Sequence, residues 1–318
     1  MPALSDDLPD VWDFSRISSF FAGGRKAEAH LSAPPDRAAD LPALLLQAQN
    51  VVSRLESGTH RRRRAGMGQD FWQFRLAQPH EPSRHIDWRQ SARSRQLWVR
   101  QKEAETQRSL ALWCDVSASM QWRFRARLPI KRDVAFIAAL ALGGAALKGG
   151  ENVALIAHGV KAHNFRTARA LTALGERLVA HQQAQIPEAG DVPPSSEMVL
   201  ISDFLWSVDQ IEEALAGLSP LARHLHLICV LDPAEISLPI RGFTALTDSS
   251  SAVRHRMSID DDVARIYEKA LHQHLDALRD FVVQRGGSFT LMPTNDDVAS
   301  ILRPLHARLS ARTHGEAR

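Results

Sequence analysis

Three oxygen-bearing side chains at alternate positions, Asp115, Ser117 and Ser119, follow directly on the apolar run Leu110-Ala111-Leu112-Trp113-Cys114. A long apolar segment comes next. A loop between a buried strand and a helix can turn side chains i, i+2 and i+4 onto one point, and sites in open α/β sheets form at the carboxyl ends of the strands. One carboxylate and two neutral hydroxyls suit a hard divalent cation, Mg2+ or Mn2+, which takes oxygen ligands and keeps several waters. Such a set leaves the ion undercompensated and open to a further carboxylate. By themselves the same residues could equally cap the next helix. Asp203, in Ile201-Ser202-Asp203, ends a second apolar run in the same manner, and the pairing favours the metal.

The elements needed to hold these residues are legible from Ser109 onward. The nearly continuous apolar run 110–114 reads as a strand buried on both faces, and 152–157, 198–201, 225–231 and 288–291 read as further strands. Helical spacing falls between them at 131–148, 168–182, 208–218, 263–284 and 298–309. Residues 160–165 form a strand that returns beside 152–157. The Ser- and Asp-rich stretch from Thr247 to Asp262 reads as a loop. Alternation of this kind predicts an α/β fold: a doubly wound, mostly parallel sheet covered by helices on both faces. Ahead of it, Leu41 to Glu56 has helical spacing, while 70–75 and 96–100 read as short strands of a small β-rich element. The expected division is a leader and helix over 1–58, a basic β-rich segment over 59–108, and the α/β domain over 109–318.

Composition narrows the function classes. The chain has 318 residues, 44% hydrophobic and 24% charged, with a net charge of +3, as in an ordinary folded protein. From Arg54 to Arg108 there are 13 Arg and Lys against 6 Asp and Glu, a balance of +7 that leaves −4 for the remainder. A basic block of this size can meet nucleic acid, but the commoner use is to attract an acidic face of the same protein. Nucleic acid is therefore not the expected partner. The run Arg61 to Arg64 reads as a solvated face. Asp87 is expected to pair with neighbouring arginines, and Trp88 to pack. Cys114 and Cys229 sit in apolar runs and read as buried thiols. The first residues carry four Asp and no basic stretch, and Val134 to Leu147 is too short to span a bilayer. The expectation is a soluble, cytoplasmic protein.

Several enzyme templates fail on their chemistry. Position 117 is Ser where an aspartyl phosphotransferase needs a second Asp, and no GxxxxGK[ST] or GxSxG occurs. The 14 His form no HExxH, and His272 and His274 read as residues of a solvated helix face.

The run Asp115-Val116-Ser117-Ala118-Ser119-Met120 is similar to the first part of the metal-ion-dependent adhesion site of von Willebrand factor A domains. Upstream, Gly66 to Phe71, His85-Ile86-Asp87-Trp88-Arg89-Gln90-Ser91-Ala92-Arg93 and Leu97 to Arg100 resemble the bacterial "domain of unknown function 58" proteins, although Leu76 to Ser83 departs from that family's pattern. The resemblance implies a von Willebrand factor A-like sheet with the Asp115 strand beside the Asp203 strand. It also implies a threonine ligand from a third loop, for which Thr167 is the best placed, with a helix cap as its alternative role. It implies, finally, a partnership with a MoxR-type ATPase of the AAA+ class. Together these features predict a metal-dependent protein-binding module and not an enzyme. A metal-dependent hydrolase and nucleic-acid binding through the basic segment are the alternatives.

Overall fold

A computed structural model describes residues 37–58, 71–77, 86–93, 96–102, 109–157, 160–180, 192–206, 208–247 and 254–311. The chain divides into two compact units, one of Met1–Thr59 with Arg108–Arg318 and one of His60–Gln107. Helix α1 (Arg37–Gly58) therefore belongs to the large unit and is not a separate leader. Its Leu44, Ala48, Val52 and Leu55 recur at helical spacing and are buried in the main core.

In the small unit, β1 (Phe71–Leu76) pairs antiparallel with β2 (Trp98–Lys102), as expected from the two short runs. Between them α2 (Trp88–Ser91) makes a single turn. Asp87 is the cap of that turn, its Oδ1 accepting the Gln90 N–H at 3.0 Å; the neighbouring Arg84 and Arg95 lie outside the described residues. Trp88 was expected to pack and is 59% exposed. The Arg61–Arg64 run lies outside the described residues.

The large unit contains β3 (Ser109–Cys114), α3 (Lys131–Lys148), β4 (Asn152–Ala157), β5 (Val160–Phe165), α4 (Leu171–Ala180), β6 (Ser196–Ser202), α5 (Val208–Leu218), β7 (Ala222–Leu231) and α6 (Pro233–Ile236). It continues with β8 (Gly242–Thr247), β9 (Arg254–Ile259), α7 (Asp261–Gln284), β10 (Ser288–Pro293) and α8 (Val298–Ala311). Six strands form one sheet in the order β10-β7-β6-β3-β4-β5, parallel except for β5. The fold is thus α/β with a mostly parallel sheet flanked by helices.

Strand periodicity divides the core. Along β3, Leu110, Leu112 and Cys114 point into the layer of α1, α3, α4 and α8. Ala111 and Trp113 point into the layer of α5 and α7. Helix α3 is apolar nearly all round because it lies between the sheet and α1. A Cβ on Gly175 would come within 2.8 Å of Leu41 Cδ1, so the glycine lets α1 approach α4 closely. Cys114 and Cys229 are buried free thiols, as expected.

Two strands were not legible. The stretch read as a loop contains β9, which pairs with β8 from Gly242↔Ile259 to Thr247↔Arg254. A two-stranded ribbon with Phe243 exposed and Ile259 buried has no continuous apolar run to announce it. Among the described residues, no helix is long and apolar enough to cross a membrane.

At the amino ends of the strands, Glu197 on β6 lies 3.0 Å from His224 Nδ1 and 3.1 Å from His226 Nε2, both on β7. His226 Nδ1 lies 2.7 Å from the Ser288 hydroxyl of β10. Burial alone would raise the Glu197 pKa, but the hydrogen bonds to His226 and His224 outweigh it and hold it at about 2. A carboxyl depressed in the folded state contributes stability above its unfolded pKa and loses it as pH falls through the folded one. Wild type should therefore lose part of its stability between about pH 4.5 and about 2. Glu197→Gln should flatten the pH dependence of urea midpoints over that interval.

Candidate metal centre

Because β3, β6 and β7 are adjacent and parallel, the residues just past their ends gather at one edge of the sheet. Those residues are Asp115, Asp203 and Asp232, all at 0% exposure. The Asp115 N–H donates to the Ile201 carbonyl at 2.8 Å and extends the β3–β6 ladder by one bond. Its carboxylate is held at both oxygens: Oδ1 accepts the Ser117 N–H at 2.7 Å, and Oδ2 accepts the Ser202 hydroxyl at 2.6 Å. Ser119 opens a 3-10 turn, Ser119–Gln121, which brings its hydroxyl 2.9 Å from that of Ser117. Two adjacent oxygen ligands of Mg2+ at about 2.1 Å, at right angles, stand about 3.0 Å apart. The hydroxyl pair, hydrogen-bonded to each other, matches that spacing.

Asp203 is fixed by the residue after it. Phe204 has φ of 49°, a left-handed conformation that costs a side-chain-bearing residue about 1–2 kcal/mol. Its ring is fully buried, and its carbonyl accepts a hydrogen bond from His274 Nε2 at 2.7 Å, which hold the turn in place. His274 is therefore not on a solvated face. It falls on the buried stripe of α7 with Tyr267, Leu271 and Leu278, and burial lowers its pKa. His272 is exposed, as expected.

Two further residues complete the cluster. Lys131, the first residue of α3, has a wholly buried ammonium that donates to Asp203 Oδ2 at 2.9 Å and to Glu235 Oε1 at 2.6 Å. Glu235 belongs to a capping box at the start of α6: Asp232 Oδ1 accepts the Ala234 N–H, and Glu235 Oε2 accepts the Asp232 N–H. Asp232 Oδ2 also accepts the Phe124 N–H at 3.1 Å, tying the loop before α3 to the end of β7. Two signals could have found them. A lysine opening an otherwise apolar helix runs against the helix dipole and needs carboxylates nearby. Asp232-Pro233-Ala234-Glu235 after an apolar strand is a capping-box pattern.

The charges do not balance. Burial would lower the pKa of Lys131, but Asp203 and Glu235 reverse this and keep it protonated. Burial raises Glu235 to about 7 against the pull of Lys131. Burial, then the neighbouring charge of Asp203, raises Asp115 to about 6, although Ser202 and Ser117 pull the other way. Among the described residues, Asp115 has only neutral hydrogen-bond donors, and no cation pairs with its buried charge.

Thr167 is not part of this site. It follows β5, which runs antiparallel, and Phe165 pairs with Val153, itself level with Leu110 at the start of β3. Thr167 thus lies at the amino ends of the parallel strands, more than about 15 Å along the sheet from Asp115. Its side chain makes no cap bond either. Among the described residues no three His, Cys, Asp or Glu side chains are gathered to hold a metal ion. The donors that fit a hard cation are Asp115, Ser117 and Ser119, with Asp203 beside them.

The sequence model of the family described as "Protein of unknown function DUF58" matches residues 73–277. The chain belongs to the DUF58 family. It is 33% identical over 251 residues to the uncharacterized protein Rv1480 of Mycobacterium tuberculosis, covering 73% of this chain and 78% of that one. The uncharacterized protein Mb1516 of Mycobacterium bovis matches to the same extent. Among solved structures, the conserved hypothetical protein BatB of Bacteroides thetaiotaomicron aligns with a TM-score of 0.37 at 10% identity, over 65% of this chain and all of that one. An aerotolerance-related membrane protein of Bacteroides fragilis aligns at 0.36 and 13%, over 64% and 99%. A membrane-spanning protein of Vibrio fischeri aligns at 0.17 and 13%, over 64% and 98%. These last two are described as membrane proteins, against the cytoplasmic location expected from the sequence, and at such TM-scores they assign no compartment to this chain. The lack of a long apolar helix among the described residues assigns no compartment.

An uncompensated buried carboxylate beside another should destabilise the protein when no cation is present. Asp115→Asn should therefore raise stability at pH 7.5 in chelator by about 1–3 kcal/mol, seen as a melting temperature several degrees higher. A lower melting temperature would show that Asp115 is already compensated.

Proposed function

We propose that this DUF58 protein is a metal-dependent protein-binding module whose α/β domain works in the manner of a von Willebrand factor A domain. The observation that carries the reading is the buried Asp115 carboxylate, without a cationic partner, next to two hydroxyls 2.9 Å apart. Asp115, Ser117 and Ser119 hold Mg2+ or Mn2+, and Asp203, on the adjacent strand, binds the waters of the ion. Once bound, the ion supplies a Lewis-acidic position that an outside carboxylate can fill. Ser202 orients Asp115 from behind, and the ladder bond to Ile201 fixes the height of the loop.

A binding role is preferred over hydrolysis because the described residues of the site offer no accessible base. Glu235, the carboxyl raised toward neutrality, is 1% exposed, with its oxygens taken by Lys131 and the Asp232 N–H. The partner proposed is an acidic surface of a MoxR-type AAA+ ATPase, a choice that rests on the family resemblance in the sequence.

Millimolar Mg2+ or Mn2+ should raise the melting temperature by binding the folded state, and Asp115→Ala should abolish that response while still folding. In isothermal titration against the purified ATPase, EDTA or Ser117→Ala should weaken binding by about tenfold or more. Equal affinity with and without Mg2+ would place the contact elsewhere.

A further inference from the structure

Lys131 is an unusual residue to find where it is. A buried ion cluster contributes little net stability compared with well-packed apolar side chains of the same volume. The first position of an apolar helix is also where a positive charge is least favoured by the helix dipole. Yet its ammonium is at 0% exposure, bracketed by Asp203 and Glu235, with the Trp122 ring centroid 6.0 Å away. It stands at the edge of the sheet where the three strand-end aspartates meet, and it compensates two carboxylates of the cluster while leaving Asp115 alone.

We propose that Lys131 is a built-in cation that holds Asp203 away from direct coordination, so that the ion at Asp115, Ser117 and Ser119 keeps a position for a partner carboxylate. The inference rests on the metal reading above and makes Lys131 a positioning residue. With Asp203 Oδ2 engaged by the ammonium, the direct protein ligands carry one negative charge and two neutral hydroxyls. A divalent ion on that set keeps net positive charge. Were Asp203 free, it would supply the second carboxylate from within, and the ion would be held more tightly and attract an outside carboxylate less. Lys131 thus exchanges metal affinity for dependence on the partner.

The test is titration of MnCl2 into the full chain by calorimetry, with melting temperatures in parallel, for wild type, Lys131→Met, Asp203→Asn and Asp115→Asn. Lys131→Met should melt lower than wild type in chelator, recover with Mn2+, and bind Mn2+ about tenfold more tightly. Asp203→Asn should bind within about threefold of wild type, whereas Asp115→Asn should lose binding. A purely structural lysine would lower the melting temperature and leave Mn2+ affinity unchanged, and that result overturns the proposal. So does loss of binding in Asp203→Asn as complete as in Asp115→Asn, a comparison that decides the matter if Lys131→Met fails to fold. Wild type that neither binds Mn2+ nor shifts its melting temperature overturns the metal reading itself, and this inference with it.

Discussion

The register of three parallel strands brings Asp115, Asp203 and Asp232 to one edge of the sheet, out of contact with water. Like charges in that setting repel, and each must find a donor or a cation. The surrounding architecture answers this requirement in three ways. Asp232 is absorbed by backbone, accepting the N–H groups of Ala234 and Phe124. Asp203 is absorbed by the ammonium of Lys131. Asp115 receives only neutral donors, from Ser117 and Ser202. The imbalance is localised to one carboxylate, and that carboxylate has two hydroxyls beside it.

The same requirement accounts for features with no other role in the fold. Helix α3 begins with a buried lysine ahead of a long apolar stretch, because its first turn faces Asp203 and Glu235. Phe204 accepts a left-handed backbone, locked by its buried ring and by His274, because the chain must turn sharply after Asp203. Removing one partner of such a buried pair costs about 3–5 kcal/mol, so these devices hold each other in place. The Glu197–His224–His226 cluster lies at the opposite, amino end of the sheet and shares none of these groups.

Much of this was legible in the amino-acid sequence, for physical reasons that also mark where legibility ended. Strands buried on both faces are apolar runs, so β3, β4, β6 and β7 announced themselves, and with them the strand-end positions of Asp115 and Asp203. The ribbon of β8 and β9 did not, because it lacks such a run. Thr167 was misplaced although the return of β5 beside β4 was expected: an antiparallel strand delivers its following loop to the amino ends of the parallel strands, and the threonine had been taken from the resemblance. His274 looked solvated until the buried stripe of α7 was seen to pass through it. Lys131 and Glu235 are 104 positions apart, and only the folded chain shows that they share a proton-rich contact.

The most direct measurement is anomalous diffraction at the manganese edge from crystals of the full chain grown with Mn2+. The account predicts one peak at about 2.1 Å from oxygens of Asp115, Ser117 and Ser119, with Lys131 still on Asp203. No peak at that loop, or a peak elsewhere in the molecule, would contradict it.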